Sequence, residues 1–310
     1  MQYFMAPMEG LTGYVYRNAY QKHFHNIDKY FTPFITNKKL NHKERNDILP
    51  EHNVGMRVVP QILTNRAEDF LVIARELKEY GYDTVNLNLG CPSGTVVGKN
   101  RGAGFLALPE ELDCFLEKIF SECPIKISIK TRIGMESPAE WERLLAIYEK
   151  YPLEELIVHP RVQKDYYRNS PNLEAFGMAV QKSSHSLCYN GDINSVSDYE
   201  RIVERFSGLD KVMLGRGILS NPGLIGEICG TAGVDKDTLL AFHNDILQGY
   251  LTIMSGDRNT LFKMKELWVY LGKIFTSPEK YIKKMKKAER VVEYEAAVTA
   301  LFREQELLQN

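Results

Sequence analysis

No disulfide pattern is visible in this sequence. Its five cysteines, Cys91, Cys114, Cys123, Cys188 and Cys229, are odd in number and far apart, with no C-x-x-C pair. That argues against a disulfide framework and a structural zinc site, and favours reduced thiols and no metal. Long apolar runs are also missing. Nothing approaches the roughly 18 residues a membrane span needs. The opening MQYFMAPMEG has neither the basic start nor the apolar core of a signal peptide. The expectation is a cytoplasmic, monomeric protein without a membrane partner. There is no H-E-x-x-H, G-x-S-x-G or Walker A sequence, so zinc proteolysis, serine hydrolysis and P-loop chemistry lack support. Excess charge is absent too. A net charge of −1 rules out a globally basic RNA-coating protein but not a local basic patch.

What is present has the make-up of an ordinary globular chain, with 44% hydrophobic and 25% charged residues in 310. Eight short apolar runs read as strands: QYFMAP, KYFTPFI, MRVVPQIL, TVNLNL, IKISIK, EELIVH, LCYNG and KVMLG. Helical periods lie between several of them. Phe70, Ile73, Leu77 and Tyr80 form one. Leu112, Phe115, Leu116, Ile119 and Phe120 behind Pro109 form another, and Tyr199, Ile202, Val203 and Phe206 a third. The alternation fits a (β/α)8 TIM barrel, which typically needs about 250 residues, or a doubly wound open sheet. From residue 235 the strand signals stop. Leu239, Phe242, Ile246, Tyr250 and Ile253 make a helical face, as do Leu261, Met264, Trp268, Leu271 and Phe275. Ser277-Pro278 reads as an N-cap followed by Pro at the first helical position, and a last helix runs through Tyr294, Val298 and Leu301. The division expected is a barrel over residues 1–234 and a small all-helical domain over 235–310.

Reactive residues of a barrel collect where strands end and loops begin. At those places stand Pro7-Met8-Glu9-Gly10, Gln61, Asn88 with Cys91, Lys130 with Arg132, His159 with Arg161, Asn190-Gly191-Asp192 and Gly215-Arg216-Gly217. A single polar residue after a strand is usually just solvated, and Cys91 alone reads more readily as a small core residue than as a catalyst. The joint pattern puts polar groups on one face. The last two clusters suit a phosphate: glycines admit close backbone approach, and Arg216 adds charge-assisted hydrogen bonds. N-G-D alone is also a plain turn. The G-x-G-x-x-A at Gly102, Gly104 and Ala107 follows a long loop instead of a strand, so it is rejected as a dinucleotide fingerprint.

With these residues assembled, the chain resembles the tRNA-dihydrouridine synthase family. The matching stretches are APMEGLTGYVYR, PQIL, NLNLGCPSGTVVGKNRGAGFL, IKTRIG, VHPR, YNGDI and MLGRGILSNP, in the family's order; the helical tail with LFKMKELWVYLGK resembles the family's C-terminal domain. The GCPSGTVVGK loop most resembles the bacterial C-type branch. The resemblance implies an FMN-bound TIM barrel that reduces the C5–C6 bond of specific uridines in tRNA at the expense of NADPH. It implies that the Pro7-Met8 backbone, Gln61, Lys130 and His159 lie along the flavin. Asn190, Gly191, Asp192, Gly215 and Arg216 would then hold its ribityl and phosphate groups. It further implies that hydride passes from flavin N5 to uracil C6 while Cys91 gives the proton to C5, on a loop free to move over the flavin. A thiol with an ordinary pKa of about 8.5 is largely protonated near neutrality and so can act as that acid. The uracil must leave the RNA stack to be reached. Asn88, Arg132, Arg161 and the aromatic pair Tyr166 and Tyr167, with Arg168, are the candidates to meet it. Two departures stand out: VHPR where the family often has V-H-G-R, and Asn86 where an acid is common.

Residues 257–290 hold ten Lys/Arg against four Asp/Glu. Alone that is a solvated helix face; beside the resemblance it reads as a tRNA footprint centred on Lys283, Lys284, Lys286 and Lys287. Lys38, Lys39, His42 and Lys43 form a second basic stretch, more simply a solvated loop. Two alternatives remain: an FMN barrel oxidoreductase acting on a small molecule, which needs no basic tail, and a non-catalytic tRNA-binding module, which needs no flavin residues.

Overall fold

Each of the eight apolar runs forms a strand in the computed structural model, which describes residues 1–36 and 39–308; Lys38 lies outside them. The strands are β1 (Gln2–Met5), β2 (Lys29–Phe31), β3 (Val58–Val59), β4 (Gln61–Ile62), β5 (Thr84–Leu89), β6 (Lys126–Arg132), β7 (Leu156–His159), β8 (Leu187–Tyr189) and β9 (Lys211–Leu214). They make one parallel sheet in the order β3-β2-β1-β9-β8-β7-β6-β5-β4. The ends of that list are neighbours in the chain, parted by Pro60 alone. Counting β3 and β4 as one strand broken at a proline leaves eight, and the sheet closes into a barrel. Pro60 has no N–H to give the ladder. Its carbonyl still accepts from Asn86 N at 2.9 Å, and the next amide, Gln61 N, finds Thr32 Oγ1 at 3.1 Å.

Two compact units are built from the chain. The first, Met1–Pro7, Asp28–Asp192 and Val203–Leu214, carries all nine strand segments. Its helices show why the periods recur. In Pro109–Glu122, Pro109 sits in the first turn with Glu110 and Glu111, where missing donors and the helix dipole favour them. Leu112, Phe115, Leu116 and Ile119 make its buried face. Ala67–Glu79 buries Phe70, Ile73 and Leu77 in the same manner. Inside the barrel Phe4, Phe31, Val59, Ile157, Cys188 and Met213 pack as one apolar cluster. A buried ion pair, Lys29 Nζ to Glu155 Oε2 at 3.2 Å, stands at the starts of β2 and β7, with the ammonium 4.5 Å from the Phe4 ring centre. Burial pushes the Glu155 carboxyl up, against the pull of Lys29.

The second unit, Met8–Ile27, Ile193–Ile202 and Gly215–Asn310, contains no strand among the described residues, and it draws in an N-terminal helix besides the tail. That helix, Tyr14–Phe24, packs on Lys236–Ile253: the Phe242 ring meets Tyr16 and Phe24 edge-on at 5.5 and 5.3 Å. Helices Asp257–Leu271, Glu279–Lys287 and Val291–Glu304 follow. Their shared core includes a buried polar knot. Trp268 Nε1 donates to Tyr294 Oη at 2.5 Å; His243 Nδ1 donates to Asn244 Oδ1 at 3.0 Å, which leaves Nε2 to accept from the Tyr294 hydroxyl at 2.7 Å. Burial pulls the His243 imidazole down to about 4. The expected N-cap at Ser277 shifts by one residue. Ser277 has φ 44°, and Pro278 O accepts the first helical amides, from Tyr281 and Ile282. The cause is the antiparallel bridge Phe275–Leu307, which leaves only Thr276 and Ser277 to turn the chain into the helix.

Candidate active site

β5 and β6 show how the barrel delivers side chains. In TVNLNL the polar set Thr84, Asn86, Asn88 alternates with Val85, Leu87, Leu89, and in β6 Ser128 and Lys130 alternate with Ile127 and Ile129. The register sets Gln61 beside Asn86, Asn86 beside Ser128, and Asn88 beside Lys130. Buried amides then link across the strands. Asn88 Nδ2 donates to Gln61 Oε1 at 2.7 Å, Gln61 Nε2 to Asn86 Oδ1 at 2.7 Å, and Asn86 Nδ2 to Ser128 Oγ at 2.8 Å. Asn86 thus uses its amide as both donor and acceptor, which a carboxylate cannot do.

The free lone pairs of Asn88 Oδ1 take Gly90 N at 3.0 Å and Cys91 N at 2.9 Å, so the end of β5 is tied to the loop it starts. Cys91 O accepts from Ala103 N at 3.1 Å. This return is what the G-x-G-x-x-A residues serve. Gly102 has φ 55°, and a Cβ there would meet Cys91 O at 2.9 Å, while one at Gly104 would meet Val97 O at 2.7 Å. The stretch is a 3-10 turn folded back on Cys91. The loop is therefore pinned, where the sequence suggested freedom to move.

Lys130 differs from its neighbours. Its half-buried ammonium has no hydrogen bond or carboxylate among the described residues. Burial and the Arg132 charge pull it down to about 8. Arg132, in contrast, is fully engaged. Nε donates to Gly90 O at 3.0 Å, Nη1 to Val162 O at 2.9 Å and Nη2 to Tyr166 O at 2.7 Å, and its guanidinium lies 5.4 Å from the Tyr167 ring centre. Burial lowers its pKa.

After β7, Pro160 sits at the centre of a tight turn in which Arg161 N donates to His159 O at 2.7 Å. An inverse γ-turn needs no central N–H and suits the fixed φ of proline, so the departure from glycine is accommodated. Arg161 grips Asp192 with both Nη atoms, at 3.0 and 2.5 Å. It also donates to His159 Nε2 at 3.0 Å, which places the proton of a neutral imidazole on Nδ1. The His159 and Tyr167 rings stack with centres 6.1 Å apart. Asn190 Nδ2 donates to Met213 O at 2.8 Å. Gly191 lies so close to Tyr189 that a Cβ would come within 2.1 Å of its Oη.

The first unit therefore brings Gln61, Asn88, Cys91, Lys130, Arg132, His159, Arg161, Tyr167 and Asp192 onto linked strand ends, with Pro7 just beyond β1. Met8, Gly215, Arg216 and the four lysines belong to the second unit. There Met8 N donates to Thr12 Oγ1 at 2.8 Å, and Gly215 caps the short helix Arg216–Ser220. Lys283, Lys284, Lys286 and Lys287 are all exposed, opposite the buried Tyr281 and Met285, and none has an ion-pair partner among the described residues.

A sequence model described as dihydrouridine synthase (Dus) matches residues 4–310. The chain belongs to the dihydrouridine synthase family. It is 29% identical over 234 residues to the tRNA-dihydrouridine(16) synthase of Pseudomonas putida, covering 72% of each chain. It is 26% identical over 228 residues to the probable tRNA-dihydrouridine synthase 2 of Bacillus subtilis, covering 70% of this chain and 69% of the other. The solved structure of an old yellow enzyme homologue from Zymomonas mobilis superposes with a TM-score of 0.52 at 11% identity, over 78% of this chain and 92% of its own. That likeness is one of fold, the parallel barrel.

Two further side chains of this region, Ser128 and Gln163, differ in how much of their role the sequence carries. Ser128 was visible in principle, since KISIK alternates and puts it on the face of Lys130. Gln163 was not. Its Nε2 donates to Pro92 O at 3.0 Å across 71 residues, and no local pattern announces such a bond.

Proposed function

We propose that this member of the dihydrouridine synthase family is a tRNA-dihydrouridine synthase that works with FMN and NADPH. The reading is supported above all by one row of residues. A half-buried ammonium without a partner, Lys130, stands in register with Asn88, and a thiol, Cys91, follows at the end of the same strand as Asn88. An unpaired cation in a low-dielectric site is costly unless an anionic or strongly accepting ligand shares it. A flavin fits that requirement, because its polar edge accepts hydrogen bonds and becomes anionic on reduction. Bound FMN supplies the hydride equivalent for uracil C6.

The chain's own residues do the rest. Lys130 holds a positive charge where negative charge develops. In the first unit Pro7, Gln61, His159, Asn190, Gly191 and Asp192 would hold the cofactor, and Met8, Gly215 and Arg216 are the second unit's own candidates for contacts to it. Cys91 Sγ–H gives its proton to uracil C5, and water restores it. Asn88 and Tyr167 orient the extruded base; Arg132 and Arg161, expected to meet it too, are each 1% exposed and bonded to loop carbonyls and to Asp192, so their role is instead to fix the loops that carry these groups. Residues 1–234 form the catalytic part, and 235–310 the tRNA-binding part, where phosphates meet the four unpaired lysines. No described helix is long and apolar enough to cross a membrane, and the reaction is assigned to the cytoplasm, where tRNA is modified.

The test is direct. The purified protein is expected to be yellow and to release FMN on denaturation. Cys91→Ala should keep flavin and tRNA binding and lose most turnover. A colourless protein that cannot be loaded with FMN refutes the reading; wild-type turnover in Cys91→Ala removes the thiol as acid.

A further inference from the structure

We propose that Gln163 and Arg132 are positioning residues that lock the Cys91 loop to the loop after β7, so that thiol and stacking aromatic are held as one body. The backbone around Cys91 is completely accounted for. Gly90 N and Cys91 N both reach Asn88 Oδ1, and Cys91 O takes Ala103 N. The two carbonyls flanking the cysteine go to the other loop's clamps: Gly90 O to Arg132 Nε, and Pro92 O to Gln163 Nε2. Pro92 has no N–H, so no polar backbone group from Gly90 to Pro92 is left over.

The same two residues are tied into the second loop, Arg132 through its side chain and Gln163 through its backbone. Arg132 donates to Val162 O and Tyr166 O, and stands by the Tyr167 ring. The Gln163 backbone joins Gly134 O through its N–H and Tyr166 N through its carbonyl. Both clamping side chains are buried, Arg132 at 1% and Gln163 at 7% exposure, while the carbonyls they hold on Gly90 and Pro92 belong to half-buried residues. A buried donor–acceptor pair resists exchange with solvent, so it holds geometry better than an exposed one. Proton delivery to one carbon needs that precision, since displacement by about 1 Å can cost roughly a hundredfold in rate.

Only the catalytic arm of this proposal rests on Cys91 being the proton donor. The experiment compares wild type with Gln163→Glu, which keeps the shape and removes the donor, and Gln163→Leu, which removes all polarity. The flavin-loaded proteins are treated with iodoacetamide, and each cysteine is followed by peptide mass spectrometry. The exposed Cys114 and Cys229 serve as internal references. Cys91 alkylation should accelerate about tenfold in both variants while the references stay constant. For tRNA, kcat should fall about tenfold with KM changed less than twofold, because positioning and not binding is lost. Unchanged Cys91 alkylation in both variants overturns the proposal. Faster alkylation with unchanged kcat keeps the clamp and instead counts against Cys91 as the donor.

Discussion

Lys130→Met should make the flavin-free protein more stable and the flavin complex weaker. The ammonium sits at about 8 against an ordinary 10.5. That difference corresponds to about 3 kcal/mol of destabilisation carried by the charged form at neutral pH. Because the side chain is only half-buried, solvent reduces this to roughly 1–3 kcal/mol. Methionine fills similar space without charge. Flavin-free Lys130→Met should thus melt about 2–8 °C above flavin-free wild type at pH 7, at a few degrees per kcal/mol. Loss of a charge-assisted hydrogen bond should meanwhile weaken FMN about 10- to 100-fold. The sign in pH is fixed as well. Between pH 8 and 10.5 the unfolded chain keeps the Lys130 proton and the native state releases it, so wild-type stability gains from this group as pH rises. As pH falls through the window the gain is lost. Lys130→Met should lack that contribution. Paired thermal melts of the apo proteins and FMN titrations by fluorescence quenching measure both effects. A variant that melts no higher and binds FMN as tightly would show that Lys130 is neither strained nor a flavin ligand.

The buried His243, held at about 4 against 6.5, contributes stability above pH 6.5 that is lost as pH falls toward 4. The full loss is about 3 kcal/mol. In His243→Gln the drop in melting temperature between pH 7 and 4.5 should shrink; an equal drop contradicts the assignment. Tyr166 has φ 48°, is 41% exposed and has no side-chain partner among the described residues. Tyr166→Gly should relieve strain and raise the unfolding free energy by about 1 kcal/mol net of glycine's entropy, read as a higher denaturation midpoint, and a lower midpoint would refute this. Changing Lys283, Lys284, Lys286 and Lys287 to Glu should weaken tRNA binding and flatten its salt dependence by up to about 3 in log–log slope, with flavin content unchanged. Unaltered affinity would return that helix to a merely solvated face.

The barrel was legible because its signals are local. Alternation in TVNLNL and KISIK reports which side chains share a face, and Pro109 with its acidic neighbours marks a helix start. Even the break at Pro60 lies inside a run that reads as one strand, since proline interrupts the ladder without changing the apolar pattern. The strand ends likewise exposed Asn88, Lys130 and His159 as a set. What stayed hidden was long-range. Nothing local tells that Arg132 would turn its donors to three carbonyls, that Gln163 would reach Pro92, or that Tyr14–Phe24 would pack on Phe242. The pinned Cys91 loop misled for the same reason: a Gly-rich stretch looks free until its partners are known, and Gly102 and Gly104 in fact permit the close return. Ser277 shows a local rule overridden, its cap position displaced by the bridge between Phe275 and Leu307.

The most direct test of the central claim is mass spectrometry of tRNA from cells lacking this gene, and of the same tRNA after incubation with the purified protein, FMN and NADPH. The account predicts that one defined uridine position loses its dihydrouridine in the deletion and regains it in the test tube. Regain without tRNA-specific loss in the cell is not expected. Dihydrouridine unchanged in the deletion, together with no formation by the flavin-loaded protein, would contradict it.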